Sequence, residues 1–160
     1  MEYMSTNQKL QFSSTSSEQS LAWGKKLGQS LSLGQLIEFV GDLGGGKTTI
    51  IKGIAASLGV TKTVTSPTFN VMRSYELPDG GSLDHYDLYR IGDDDVVARE
   101  LREIVESGQS IVVVEWARPF VDRIKQDYLR INTHVTGDET RTIELIAYGP
   151  KSQKIVEAMQ

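Results

Sequence analysis

Residues 41–48 are Gly-Asp-Leu-Gly-Gly-Gly-Lys-Thr, a sequence that matches G-x-x-x-x-G-K-[ST] at every fixed position. A short apolar run before it predicts a strand at 36–40, and an Ile- and Ala-rich segment after it predicts a helix at 48–58. Glycines in such a loop let backbone N–H groups turn inward, and the positive end of the following helix also attracts anions. This strand–loop–helix arrangement predicts a phosphate-binding loop (P-loop), and therefore a nucleotide-binding protein.

The loop also predicts how a nucleotide is held. Lys47 is expected to bridge the β- and γ-phosphates, and the Thr48 hydroxyl is expected to bind Mg²⁺. Such a site needs an acidic residue at the end of a neighbouring strand. Glu115 follows the continuous apolar run 111–114, and Asp87 follows the second strand of a predicted hairpin. The sequence leaves open which of these two carboxylates binds Mg²⁺ directly. We expect Lys47, Asp87 and Glu115 to be the catalytic residues.

The remaining pattern predicts one α/β domain. Further helices are expected from a capping box at Thr15–Glu18 to about Leu31, and from the acidic run 93–95 to Gly108. The other predicted elements are a strand at 9–13, a loop at 61–68, a hairpin at 69–77 and 82–88 around Pro78–Gly81, a short helix at 120–125, and an antiparallel pair at 128–135 and 141–147. The expected architecture is a single P-loop NTPase domain at 1–150, with a mixed, mainly parallel central sheet flanked by helices, and a C-terminal tail at 151–160.

Composition excludes several kinds of site. The 160 residues include no cysteine, which excludes a disulfide scaffold, a thiolate zinc site and a cysteine nucleophile. Seventeen basic and 21 acidic residues give a net charge of −4, which disfavours nucleic-acid binding by overall charge. The two histidines, His85 and His134, are expected to be core or surface residues rather than metal ligands. Neither a secretory signal nor a membrane-length apolar run is present, so a cytoplasmic protein is expected.

The absence of a guanine-recognition motif indicates which nucleotide is bound, while the class of protein stays open. Guanine-specific GTPases usually carry N/T-K-x-D, and Thr61-Lys62-Thr63-Val64 lacks the Asp, so ATP is expected. A small-molecule kinase remains an alternative, with Arg118 or Arg123 on a lid. The other alternative is a nucleotide-gated binding module without useful turnover.

Four segments, in this order, resemble the bacterial TsaE (YjeE) family of tRNA threonylcarbamoyladenosine biosynthesis ATPases. They are the glycine-rich loop extended to Thr49, Thr65-Ser66-Pro67-Thr68-Phe69, His85-Tyr86-Asp87-Leu88-Tyr89-Arg90 and Glu115-Trp116. The resemblance spans nearly the whole chain, and the ordered set is far more specific than the loop alone. The chain departs from the family at Gly45, where Ala is more frequent, and at 117–119, where the family tends to be more acidic.

The resemblance implies a P-loop domain that binds ATP with Mg²⁺ and hydrolyses it slowly. It implies association with two partner proteins, TsaB and TsaD, that make threonylcarbamoyladenosine in tRNA, and it allows indirect contact with tRNA through that complex. The resemblance implies that Thr48 and Glu115 bind the metal and that Asp87 lies close to it. It also implies that the start of the first helix, near Ser16, lies by the adenine. The residues expected to bind the nucleotide are Ser17, Asp42, Leu43, Gly44, Gly45, Gly46, Lys47, Thr48 and Thr49. The residues expected to form a switch loop are Thr65, Ser66, Pro67 and Thr68.

Overall fold

One seven-stranded sheet and four helices account for the regular structure in the described part of the chain. The computed structural model describes residues 8–41, 44, 46–65, 67, 71–89, 91, 94–116, 124 and 126–160. The strands are β1 (Lys9–Ser14), β2 (Leu36–Gly41), β3 (Met72–Glu76), β4 (Ser82–Asp87), β5 (Ser110–Glu115), β6 (Tyr128–Val135) and β7 (Arg141–Tyr148). The helices are α1 (Ser17–Gly28), α2 (Lys47–Ser57), α3 (Asp95–Ser107) and α4 (Pro150–Met159). None of these helices is both long enough and apolar enough to cross a bilayer.

The sheet has a parallel centre and antiparallel edges. Its strand order is β1-β7-β6-β2-β5-β4-β3, in which β6, β2, β5 and β4 run parallel while β1, β7 and β3 pair antiparallel to their neighbours. This confirms the predicted α/β fold with a mixed sheet. Because the four central strands run in one direction, their carboxyl ends meet at one edge, where ligands of such sheets bind.

Apolar side chains cover both faces of the central strands. All six residues of β5 are buried, as the continuous apolar run predicts. On one face, Ile37, Phe39 and Val113 pack in a core with α1, α2 and α4. On the other face, Leu36 and Val112 pack in a second core with α3.

Helices α1 and α2 pack with their backbones in close contact. A Cβ atom added to Gly24 would collide with the backbone carbonyl of Ile50, and one added to Gly53 would collide with that of Leu21. Only glycine permits this approach. Since α2 begins at Lys47, the same contact fixes where the glycine-rich loop leads into its helix.

The start of α1 differs by one residue from the prediction. The N-cap is Ser16 rather than Thr15, because Ser16 has an extended backbone and its Oγ accepts a hydrogen bond from the Gln19 N–H at 3.1 Å. The Gln19 side chain accepts one in return from the Thr15 N–H at 2.8 Å. The start of the helix therefore resembles a capping box, except that it uses Gln19 instead of Glu18 and that Gln19 bonds the residue before the N-cap. The helix ends at Gly28 rather than near Leu31.

Most of the segment 151–160, expected as a tail, belongs to helix α4, which ends at Met159. Ile155 and Val156 of this helix lie in the core beside α1 and β7. Its N-cap, Gly149, has no side chain, and Asp127 takes that role by accepting hydrogen bonds from the backbone N–H groups of Lys151 and Ser152 at 2.6 and 3.0 Å. The predicted helix at 120–125 falls almost entirely outside the described residues.

The contact between α1 and α2 gives a test of stability. Gly53→Ala improves helix propensity by about 1 kcal/mol, yet it places a methyl group against a backbone carbonyl that no rotamer change can move. Overpacking of this kind costs about 1–3 kcal/mol, so the free energy of unfolding in urea is expected to fall. Lys52→Ala, on the exposed face of the same helix, is the control and should leave it nearly unchanged. An unchanged or raised stability for Gly53→Ala would show that the two helices can separate at little cost.

Candidate nucleotide-binding site

A cavity of about 510 Å³ lies where the central strands end. Its wall is formed by the first turn of α1, the glycine-rich loop with the first turn of α2, the ends of β4 and β5, and the turn between β6 and β7. It brings together eight of the residues that the sequence predicts for the site: Ser17, Gly44, Gly46, Lys47, Thr48, Thr49, Asp87 and Glu115.

The glycine-rich loop leaves the first backbone N–H groups of α2 available to a ligand. Gly44 and Gly46 have φ angles of 78° and 90°, a backbone region that other residues rarely adopt. Gly46 is the N-cap of α2 and supplies no side chain to bond those N–H groups. Together with the positive end of the helix, they form an anion-binding site.

Lys47 and Trp116 form a contact at the cavity wall. Lys47 is 7% exposed, its Nζ donates a hydrogen bond to the Gly41 carbonyl at 3.0 Å, and it lies 4.6 Å from the centre of the Trp116 ring. Trp116 has a φ of 61° and is the only residue other than glycine with a positive φ in the described part of the chain. Its ring also meets that of Tyr89 edge-on, with 4.9 Å between centroids. A bulky residue in this backbone region is strained, and such strain is typical of functional sites.

Two carboxylates stand side by side at the strand ends. Asp87 and Glu115 are register partners in the parallel pair β4–β5, and both line the cavity. Burial raises the pKa of Asp87 above its ordinary value, and the Glu115 carboxylate adds to the rise, while a hydrogen bond from the Tyr89 N–H at 3.1 Å opposes it. A partly buried carboxylate beside a second carboxylate is costly to ionise, and such pairs are typical of sites that bind a cation or transfer a proton.

The donor set of the cavity fits Mg²⁺ that is shared with a nucleotide. In the described part of the chain, no three His, Cys, Asp or Glu side chains are grouped closely enough to hold a metal ion by themselves. Thr48, Asp87 and Glu115 nevertheless present oxygen atoms to one cavity. Mg²⁺ characteristically takes one or two carboxylates and completes its coordination with phosphate oxygens and water, so these three residues suffice.

The sequence profile of the family described as "Threonylcarbamoyl adenosine biosynthesis protein TsaE" matches residues 14–143. The chain belongs to the TsaE family. It is 35% identical over 133 residues to the tRNA threonylcarbamoyladenosine biosynthesis protein TsaE of Streptomyces coelicolor, covering 80% of this chain and 90% of that one. It is 37% identical over 127 residues to the Bacillus subtilis protein of the same name, covering 79% and 78%.

A solved structure resembles nearly the whole chain. The crystal structure of YdiB from Bacillus subtilis superposes with a TM-score of 0.80 at 31% sequence identity, covering 96% of this chain and 95% of that one. The fold described above is therefore found in an experimental structure with clearly related sequence.

Some predicted site residues are not among those that line the cavity. Asp42, Leu43 and Gly45 lie outside the described residues, as do Ser66 and Thr68 of the predicted switch. Thr65 and Pro67 are described and do not line the cavity. The Thr65 N–H instead donates to the Tyr75 hydroxyl at 3.4 Å, so the switch role stays a prediction.

The sequence did not place Arg141 in the site. It opens β7, and its guanidinium donates to the Gly44 carbonyl of the glycine-rich loop at 3.2 Å and to three carbonyls of the β6–β7 turn. Arg141 therefore joins two parts of the cavity wall that are 97 positions apart. Three other lining residues are also new: Ser20, Asp138 and Glu139. The turn sequence Gly137-Asp138 predicted a hairpin, and nothing local to it indicated which other loop the hairpin would meet.

The raised pKa of Asp87 predicts that its charge destabilises the protein without ligand. The unfolded chain loses this proton at a lower pH than the folded chain, so stability falls as pH rises from the ordinary carboxyl pKa through the raised one. Asp87→Asn, which keeps an oxygen for the Tyr89 N–H, should therefore raise Tm at pH 7, and the gain should vanish once the pH is below the ordinary value.

Thermal unfolding between pH 3 and 8 measures this effect. Asp79→Asn is the control, since Asp79 is an exposed carboxylate in the turn before β4, at the opposite end of that strand. A Tm for Asp87→Asn at or below that of the parent at pH 7 would contradict the prediction.

Proposed function

We propose that this chain is a Mg²⁺-dependent ATP-binding protein and slow ATPase that is required for threonylcarbamoyladenosine modification of tRNA and acts on a partner protein complex. The observation that carries the proposal is the meeting of the loop, Lys47, Thr48 and the two strand-end carboxylates in one cavity. Membership of the TsaE family supports the place in tRNA modification. The volume of the cavity is within the range of small-molecule sites.

Two helix N-termini face the same cavity and favour a polyphosphate. The first turn of α2 provides free N–H groups, and the start of α1 lines the same cavity through Ser16, Ser17 and Ser20. Lys47 is the charged group that changes partner on binding, since a phosphate oxygen is a stronger acceptor for its ammonium than the Gly41 carbonyl. The missing guanine-recognition element supports ATP as the nucleotide.

The carboxylates supply metal ligands and a hydrogen-bond acceptor for water. We assign the Thr48 hydroxyl, Glu115 and Asp87 as the groups that hold Mg²⁺ beside the phosphates. When bound there, Mg²⁺ would supply positive charge that neutralises the phosphate groups of the nucleotide. A carboxylate that is not occupied as a ligand can accept a hydrogen bond from a water molecule and orient it toward the γ-phosphate.

The state of Arg141 supports slow turnover by the isolated chain. An arginine free to contact the transferring phosphate is worth about 10³–10⁵ in rate. Arg141 is the one arginine that lines the cavity among the described residues, and its guanidinium already donates to four backbone carbonyls. It is therefore held in the wall and is not free to follow charge that develops during the reaction.

An exposed aromatic pair, of which Trp116 lines the cavity, supports coupling to a partner. Tyr89 is 61% exposed and Trp116 37%, and Trp116 touches Lys47 directly. Movement of the Lys47 ammonium to a phosphate removes one contact of the Trp116 ring, so an exposed aromatic pair responds to the nucleotide. We propose that TsaB and TsaD are the partners and that contact with tRNA is made through them.

Loss of the Lys47 charge tests nucleotide binding. Lys47→Ala removes charge-assisted hydrogen bonds worth about 1.5–3 kcal/mol each, so ATP binding measured by calorimetry should fall below detection. Lys52→Ala removes an equal charge from the exposed side of the same helix and should bind ATP as the parent does. ATP affinity of Lys47→Ala within a factor of two of the parent would refute the assignment of the loop.

Reconstitution tests the role in modification. ATP turnover of the purified chain should be slow alone, should rise with the TsaB–TsaD pair, and should stay slow with a panel of small metabolites. Repeated rounds of tRNA modification by the assembled proteins should be lost with Lys47→Ala and retained with Lys52→Ala. Fast turnover driven by a metabolite would favour a kinase, and modification that continues with Lys47→Ala would favour a binding module that needs no hydrolysis.

A further inference from the structure

His85 is a fully buried polar residue next to the carboxylates of the site. It lies in β4 two positions before Asp87 and is 0% exposed. Its Nε2 is 2.8 Å from Oε2 of Glu115, which is on the adjacent strand β5. An ionised carboxylate can only accept hydrogen bonds, so Nε2 carries the hydrogen of this bond.

The imidazole is costly as a core residue. Its other nitrogen, Nδ1, is buried and has no hydrogen-bond partner among the described residues. On the same face of the sheet, its neighbours away from the cavity are the apolar Leu83 on β4 and Ile111 and Val113 on β5. Its register partner on the other side, Arg73 of β3, is exposed. An aliphatic side chain would fill this place without burying an unpaired nitrogen, so packing alone gives no reason for a histidine. Among the described residues, the bond to Glu115 is the interaction of His85 that requires a hydrogen-bond donor.

Glu115 needs such a restraint more than an aspartate would. It has one more rotatable bond than Asp and stands at a strand end beside Asp87, a second carboxylate that repels it. The bond from His85 restrains one oxygen, Oε2, and leaves Oε1 free of the imidazole. A glutamate that is restrained in this way loses less conformational freedom when it binds an ion.

We infer that His85 is a positioning residue for the metal site: its Nε2–H holds Glu115 in the orientation in which this carboxylate can bind Mg²⁺. The inference rests on the proposed function, because it concerns the same ion and nucleotide. Hydrogen-bond partners of metal ligands typically change metal affinity by 10–100-fold when they are removed. His85 itself is not a metal ligand, since the nitrogen facing the site is used by Glu115.

The test measures how strongly Mg²⁺ improves nucleotide binding. Affinity for a non-hydrolysable ATP analogue is measured by calorimetry in Mg²⁺ and again in EDTA, and the ratio of the two affinities is the metal enhancement. A general loss of folding affects both measurements, so it cancels in the ratio. Glu115→Ala shows the size of the effect when the carboxylate itself is gone, and Leu83→Val is a matched core change on the same strand face.

Removing the donor should remove most of the enhancement. His85→Leu is expected to lower it by about tenfold or more, toward the value of Glu115→Ala. His85→Gln, whose amide N–H can take the place of Nε2–H, should stay within about threefold of the parent. His85→Asn carries the same amide on a shorter side chain and should be clearly worse than His85→Gln. Leu83→Val should keep the enhancement of the parent.

Three outcomes would overturn the inference. A parental enhancement in His85→Leu would show that Glu115 needs no help from the imidazole. Equal values for His85→Gln and His85→Asn would show that the donor position does not matter, and this comparison decides the question even if His85→Leu fails to fold. A parent protein that binds the analogue equally well in Mg²⁺ and EDTA would overturn the proposed metal site itself, and the inference with it.

Discussion

The cavity depends on the parallel pairing of β2, β5 and β4. This pairing brings the end of β2, from which the glycine-rich loop departs, to the same edge as Glu115 and Asp87. A shift of one residue between β4 and β5 would turn one of the carboxylates to the opposite face of the sheet. The register is fixed in turn by the apolar side chains on both faces, since a slip would exchange them between the two cores and disrupt the packing of each. The chemistry of the site therefore rests on ordinary hydrophobic burial several residues away.

Unfavourable features are concentrated around this edge. Trp116 adopts a strained backbone conformation, Asp87 has a raised pKa, and the imidazole of His85 is buried with one nitrogen unpaired within the described residues. The ammonium of Lys47 is largely buried, with a hydrogen bond to the Gly41 carbonyl and a contact with the Trp116 ring. Natural proteins accept such local costs where a ligand will later remove them. In this chain the surrounding cores of α1, α2 and α3 supply the stability that offsets them.

Much of this arrangement could be predicted because its signals are local. A few adjacent residues are enough to predict the structure of each of three segments. These are the glycine-rich loop, the apolar run before Glu115 and the turn at Pro78–Gly81. The helix α4 was missed because its cap, Asp127, lies more than twenty residues earlier, so the usual start signal is absent from the segment itself. The roles of His85 and Arg141 could not be predicted for the same reason. Each depends on a partner 30 or 97 positions away, and only the strand register and the hairpin position bring the partners together.

The bond between Arg141 and Gly44 has a consequence for anyone who modifies this protein. Both tight turns between antiparallel neighbours contain Gly and Asp, yet only one of them is bonded to the glycine-rich loop in the described part of the chain. The turn at Pro78–Gly81 is at the far ends of β3 and β4, so a fluorescent label or an inserted peptide there sits away from the cavity. The turn between β6 and β7 is bonded through Arg141 to the glycine-rich loop, so an insertion there is expected to displace that loop. The turn at Pro78–Gly81 is therefore a suitable attachment point for a probe. A change in the length of the turn between β6 and β7 is expected to alter ligand affinity, although this turn is far from the glycine-rich loop in sequence.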